Sequence, residues 1–291
     1  MPLDYYWTVD EDIVKREFKK AYVADALIDD GDMRLFRALP SRSRHSLGPF
    51  VLIDHYRHQS KRGIGDKPHP HAGIEVTSYL LEGSVEHRDS MGFTDRIEAG
   101  DAQYINSGRG ILHSETPLGG RHGLQLWTSL PPDLKQSAPT YKSIKAAQIP
   151  QMSYEGGLLR VLAGRVNNIM GVIDYVSPTV LAHISLKAGS SMDLAVDDNQ
   201  ELGLYVLDGA IQVGEDIRAQ AGSLIELSLG NSLVVNTPLD AGADVVLLGG
   251  APVEGEIIFA GPFVMNTQEQ IRQAQKNYFE GKMGTLDGVP F

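Results

Sequence analysis

Two pairs of side chains in this sequence have the types and the spacing to do chemistry. The stretch "HPHAGIEVTSYLLEGSVEHRD", residues 69 to 89, opens with His69 and His71 one residue apart, and "SGRGILHSETP" sets His113 and Glu115 at the same interval. In an extended strand, side chains two apart share a face. Each pair therefore projects two candidate ligands in one direction. Three imidazoles and one carboxylate bind a divalent first-row metal and leave positions open for water, substrate or dioxygen. Iron, nickel, copper, manganese and zinc all accept that donor set, and raw affinity favours copper, so the donors alone do not select the metal. If the strand continues unbroken past His71, Glu75 shares the same face, as a supporting group or a base tuned by the cation. An ordinary strand-edge glutamate has the same pattern.

The bland reading of a lone H-x-H is a pair of surface or hydrogen-bonded histidines, and the second pair downstream is what argues against it. His87 shares parity with Val85 and approaches the same region, as a residue behind the ligands or a satisfied core histidine. His45, His55, His58, His122 and His183 lack ligand spacing and read as structural. Tyr79, Trp127 and Met170 read as core rather than substrate-facing. No serine has the adjacent histidine and acid of a nucleophilic triad.

Composition narrows the chemistry further. The 291 residues contain no cysteine, which excludes disulfides, thiolate zinc sites, iron–sulfur clusters and thiol nucleophiles. With 26 basic and 37 acidic residues, the net charge of -11 opposes phosphate backbones and anionic lipid, so direct nucleic-acid binding is not expected. The basic clusters Arg42 to His45 and Lys61 to Arg62 are short enough to be solvated loops. The opening "MPLDYYWTVDEDIVKREFKK" has no apolar core of a signal segment, and no apolar run is long enough to cross a bilayer. The expectation is a soluble, cytoplasmic protein.

The elements that must position these residues are strands. "EVTSYLLEG", "DAQYINSG", "LAHISLKAG", "LGLYVLDGAIQVG", "SLIELSLG" and "DVVLLGG" alternate with period two between glycines, the pattern of an all-β sandwich or barrel. One helix stands out in "NTQEQIRQAQKNYFEGKMG": Thr267 and Gln270 form a capping box, Ile271, Ala274 and Tyr278 share a face that should dock on a sheet, and Gly281 is the stop. The chain also repeats. "YLLEGSVEHRD" with "IEAGDAQYI" matches "YVLDGAIQVGE" with "AQAGSLIEL", pairing Tyr79 with Tyr205, Gly83 with Gly209 and Gly100 with Gly222. Two copies of one β domain follow, residues 1–140 and 141–291, with the boundary between Pro131 and Pro150. At the same offsets the second copy places Ala195, Asp197, Val235 and Thr237 where the first has His69, His71, His113 and Glu115, so its ligand set is lost. The scaffold does not itself demand histidine there. A monomer is expected, because two fused copies already pair with each other.

With those residues in hand, the chain resembles the pirin family of bicupins from about Phe50 to Gly284. The motifs that carry the resemblance are "HPHAGIEVTSYLLEGSVEHRDS", "GDAQYINSGRGILHSE" and "GPFVMNTQEQIRQAQKNYFEGKMG". It implies two tandem cupin barrels, each a double-stranded β-helix or jelly roll, followed by a C-terminal helix. It also implies one metal, usually iron, on His69, His71, His113 and Glu115. The general cupin pattern would instead use the residue at Glu75. The chain departs from family habit in a longer segment before Phe50 and in Ala72 and Ile74, where many members carry Arg and Phe. Those changes bear on the pocket mouth and leave the ligands untouched. Bacterial members look like quercetin 2,3-dioxygenases, which implies an aromatic or enolic substrate and dioxygen, ring cleavage with release of carbon monoxide, and Glu115 or Glu75 taking the hydroxyl proton. Animal members act as nuclear transcription cofactors, which implies the alternative of an iron-dependent redox switch acting through a protein partner.

Overall fold

The computed structural model describes residues 13–60, 63, 65–213 and 217–287; the N-terminal residues 1–12 and the basic pair Lys61 and Arg62 lie outside the described residues. Strands dominate, in two large antiparallel sheets. The first has nine strands, and its main path runs Thr140–Ile144, Ala102–Asn106, Ile74–Asp89, Ile111–Ser129, Phe50–His58, Met33–Leu39, Asp25–Asp29. The short strand His69–His71 joins Ile111–Ser129, and Thr94–Glu98 joins Ile74–Asp89. The second sheet has ten strands, centred on Glu201–Val213, Ala243–Gly250 and Thr179–Leu186. The architecture is all-β, in two rolls.

Each long strand serves both faces of its roll because it bends. Ile74–Asp89 pairs with Ala102–Asn106 through its first half and with Thr94–Glu98 through its second, and bulges at Leu80/Glu82 and Gly83/Val85 lie between. Gly83 has φ +84°, and a Cβ there would strike the carbonyl of Gly120. Its counterpart Gly209 has φ +72°, and a Cβ there would strike the carbonyl of Gly242. The repeat seen in the sequence is thus a repeat of bends that only glycine tolerates.

The two interiors differ in kind. The second roll is filled by apolar side chains, among them Leu159, Val180, Leu204, Leu233 and Val235. The first has a smaller apolar cluster, with Val51, Ile74, Val76, Ile105 and Ile111, and it also buries Ser78, Gln103, His113, Glu115 and Arg121. A third apolar cluster joins the rolls: Phe50, Ile53, Tyr79 and Leu124 meet Leu181, Tyr205, Leu224 and Val246.

The chain's ends cross over. Phe18–Val23 pairs with Ser223–Leu227 of the second sheet, and Arg16 donates to the carbonyls of Asp197 and Gln200. At the other end, the hairpin Ile258–Ala260/Phe263–Met265 returns to the first roll, where Val264 N donates to the Ala72 carbonyl. The helix Gln268–Phe279 follows, with the Thr267/Gln270 capping box and Gly281 at φ +67° past its end. Ile271 and Ala274 pack with Ala72, Leu112 and Met265, and Tyr278 is partly buried against them.

Candidate metal centre

His69–His71 pairs with Ile111–Ser129 so that His69 lies directly opposite His113. The ring centroids are 4.4 Å apart for His69 and His113, and 4.9 Å for His71 with either of the other two. One nitrogen from each of the three lies within 4.8 Å of the others, and among the described residues no second group of three His, Cys, Asp or Glu side chains meets that criterion. His69 Nδ1 donates to the Lys67 carbonyl at 2.8 Å and His71 Nδ1 to the Pro262 carbonyl at 3.3 Å, which fixes the tautomer and turns each Nε2 inward. His71 Nε2 and both nitrogens of His113 are buried without a partner in the protein. Burial, reinforced by the neighbouring His69, pushes His71 down to about 3 and holds His113 well below the usual imidazole range. Neutral, converging, unsatisfied imidazoles fit a divalent cation, since neutral imidazole is the ligating form.

Glu115 stands beside this group but outside the cluster of ligand atoms. Its Oε1 accepts from Ser78 Oγ at 2.8 Å and Gln103 Nε2 at 2.6 Å, and its Oε2 from Arg121 at 3.3 Å. Arg121 in turn donates to His58 Nε2 at 2.9 Å and lies over the Tyr56 ring. A carboxylate has about four acceptor sites, so Oε2 retains capacity for one more contact. Ser78 and Gln103 are polar residues at inward positions of otherwise apolar strands, and that misplacement is the signal the sequence offered for them. Nothing local pointed to Arg121 or Pro262.

Glu75 does not share a face with His69 and His71. The strand is interrupted at Gly73, φ +79°, where a Cβ would strike the Val264 carbonyl, and a one-residue slip exchanges faces. Glu75 consequently points toward the second roll, accepting from Tyr104 Oη at 2.6 Å, Thr128 Oγ1 at 2.7 Å and Val176 N at 2.8 Å. Burial pushes its carboxyl up, against those hydrogen bonds. In the second copy the fixed offset selects outward positions: Ala195 is exposed and Asp197 only half-buried, while Met192, Leu194 and Val196 point inward. The site there is apolar all the same.

A cavity of about 420 Å³ opens over His69 and His71. Its wall carries Leu52, Tyr56 and Trp127 as well as Glu115, Arg121, Gln125 and Pro262. Trp127 stands edge-on to His71, with centroids 5.0 Å apart, and so lines the cavity while packing against the apolar cluster of the first roll. Met170 is exposed on a two-stranded hairpin, against expectation. Tyr79 is core as expected: it is buried at the junction of the rolls and bonded to His183 at 3.0 Å. His55, His122 and His183 are bonded to partners distant in sequence. His55 Nε2 lies 2.7 Å from His122 Nε2, His55 Nδ1 meets Tyr205 Oη at 3.3 Å, and His183 meets Asp244 at 3.1 Å, all along a cleft between the rolls.

With this geometry in view, known proteins supply the family. The Pirin family model matches residues 32–128, and the model of the Pirin C-terminal cupin domain matches residues 181–284. The chain belongs to the pirin family. Human Pirin is 34% identical over 260 residues, spanning 86% of this chain and 88% of that protein. A crystal structure of quercetin 2,3-dioxygenase from Acinetobacter baumannii superposes with a TM-score of 0.85 at 29% identity, covering 94% of this chain and 99% of that one. The bacterial pirin YhhW from Escherichia coli, solved in complex with nickel(II), matches at 0.63 and 19% identity over 80% of this chain and all of that one, a likeness of fold. Among the described residues no helix is long and apolar enough to cross a membrane.

Proposed function

We propose that this pirin is a metal-dependent dioxygenase that opens the heterocycle of a flavonol such as quercetin with dioxygen, releasing carbon monoxide and an ester of the two remaining aromatic rings. The observation that carries the reading is the convergence of His69, His71 and His113 beside a cavity that His69 and His71 line, with Trp127, Tyr56 and Leu52 as well as Glu115 and Arg121 on its wall. The Acinetobacter baumannii quercetin 2,3-dioxygenase, alike over nearly the whole chain, supports the same reading.

The three histidines would hold the cation, with Glu115 as fourth ligand through Oε2. When bound, a divalent cation of this type, iron in our reading, supplies Lewis-acid activation of an enolic oxygen and a meeting point for substrate and dioxygen. The rest falls to the chain. Trp127, Tyr56 and Leu52 offer flat and apolar surface for the rings and exclude water from them. The remaining acceptor site on Glu115 Oε2 would serve either the cation or, when released from it, the 3-hydroxyl proton of a substrate within hydrogen-bond reach, and the Arg121 guanidinium, 3.3 Å from Oε2, holds the carboxylate in place. Glu75, committed to three hydrogen bonds on the opposite face, takes no part.

Oxygen uptake and carbon monoxide release with quercetin, measured on metal-loaded and chelator-stripped protein, test the reading. Turnover should require metal and vanish in His69→Ala and Glu115→Ala. Tight metal binding without turnover, together with a protein partner retained in only one oxidation state, would replace it with the regulatory alternative.

A further inference from the structure

Two of the three converging imidazoles have their outward nitrogen anchored to a backbone carbonyl, His69 on Lys67 and His71 on Pro262. His113 has no such anchor, since both of its nitrogens are buried and unpartnered. A neutral imidazole carries one N–H, so His113 presents a buried donor that lacks an acceptor.

The complementary orphan lies next to it. His87 is fully buried and its Nε2 is 3.1 Å from Asp89 Oδ2. Against a carboxylate that nitrogen carries the hydrogen, which leaves Nδ1 of His87 as a bare acceptor, and this atom too is buried without a partner. The His87 and His113 rings are 5.7 Å apart at 44°. For scale, the His55 and His122 rings, whose Nε2 atoms are in hydrogen-bond contact, have centroids 4.9 Å apart. A small shift or turn of the His113 ring is what separates these two orphaned groups from hydrogen-bond contact. His87 itself is not free to drift, because it stacks on Tyr141 at 4.2 Å and 9°. Asp89 is fixed as well: its other oxygen accepts from Met91 N at 2.9 Å and Phe93 N at 3.0 Å, in the turn that closes the hairpin.

We propose that Asp89 and His87 form the positioning pair of the metal centre, with His87 Nδ1 accepting the N–H of His113 and so deciding which His113 nitrogen faces the cation. The inference rests on reading His69, His71 and His113 as a metal centre. Metal-bound imidazoles ordinarily donate their second N–H to such a partner, and losing it costs about 10- to 100-fold in metal affinity. Asp89→Asn is the sharper variant. Its Oδ1 still accepts from the turn, but an amide facing His87 Nε2 would force the hydrogen onto Nδ1, setting donor against donor at His113. His87→Phe keeps a ring on Tyr141 and removes both nitrogens.

The test is Cu(II) affinity by chelator competition, the Cu(II) EPR spectrum, and near-UV circular dichroism of the metal-free proteins. Both variants should bind Cu(II) about 10- to 100-fold more weakly, with altered hyperfine splitting and a metal-free spectrum like that of the unaltered protein. Affinity and EPR unchanged in Asp89→Asn, or weakened binding that only tracks lost near-UV signal, would overturn the proposal. Should His87→Phe fail to fold, Asp89→Asn decides. Failure of the unaltered protein to bind Cu(II) would instead overturn the metal-centre reading on which the pair depends.

Discussion

Glu115 shows how much a single buried carboxylate is asked to do. It shares the first roll's interior with Arg121, their side chains 3% and 1% exposed, and it accepts from Ser78 and Gln103 as well. Breaking a buried ion pair from one side typically costs about 3–5 kcal/mol, because the surviving charge stays desolvated without its counterpart. Glu115→Gln should therefore lower unfolding free energy by roughly that amount in a urea titration of the metal-free protein. It also sets an amide N–H₂ among donors. Adding Arg121→Met should restore part of the loss. If Glu115→Gln unfolds at the same urea concentration as the unaltered protein, the carboxylate is not the anchor described here. The stability effect is separate from any loss of metal, since it is read without one.

At the scale of elements, the terminal hairpin Ile258–Ala260/Phe263–Met265 belongs functionally to the first roll although the chain reaches it last. Pro262, in its turn, anchors His71, and Phe263 and Met265 share a cluster with Ala72 and Leu112. Lys135 fastens the arrangement: its fully buried ammonium donates to the Gly73 carbonyl at 2.8 Å, Ser129 Oγ at 2.8 Å and the Val264 carbonyl at 2.9 Å. Three donors meet three acceptors. Lys135→Met should leave buried carbonyls unsatisfied at about 1–3 kcal/mol, loosen the hairpin and weaken metal binding through His71, although residue 135 touches no ligand. Hydrogen exchange at Val264 together with metal affinity checks this. Protection and affinity both unchanged would show that the hairpin holds without the lysine.

For the whole molecule, the deep histidines predict an acid-sensitive fold. His55 and His71 are each pushed down to about 3, chiefly by burial, and His113 and His122 are lowered for the same reason. Below an unfolded pKa near 6.5 the unfolded chain takes up protons at these positions that the folded protein refuses. Their contribution is thus complete above about pH 6.5 and is lost as the pH falls toward 3, by up to about 1.4 kcal/mol per pH unit for each group. Glu75 and Asp54, whose carboxyls burial pushes up, act in the opposite sense, returning stability as the pH falls from their raised folded pKa toward the unfolded carboxylate value, so two groups oppose four. The midpoint of urea unfolding of the metal-free protein should fall steadily from pH 7 to pH 4.5. A flat profile across that window would contradict the burial of these imidazoles.

What the sequence determined by itself is whatever depends on near neighbours along the chain. The period-two spacing put His69 with His71 and His113 with Glu115, the Thr267 capping box marked its helix, and the glycines paired as Gly83 and Gly209 marked the bends of two related rolls. Only the tertiary structure decided which histidines converge, that Gly73 turns Glu75 to the far side, that Ser78, Gln103 and Arg121 hold Glu115, and that the chain's ends cross between rolls. The reason is that these outcomes are contacts between distant segments: His71 and Pro262 are 191 residues apart, and Glu75 and Val176 are 101 apart. A strand's alternation says which side chains share a face, but the partner waiting at that face is set by how the sheets close.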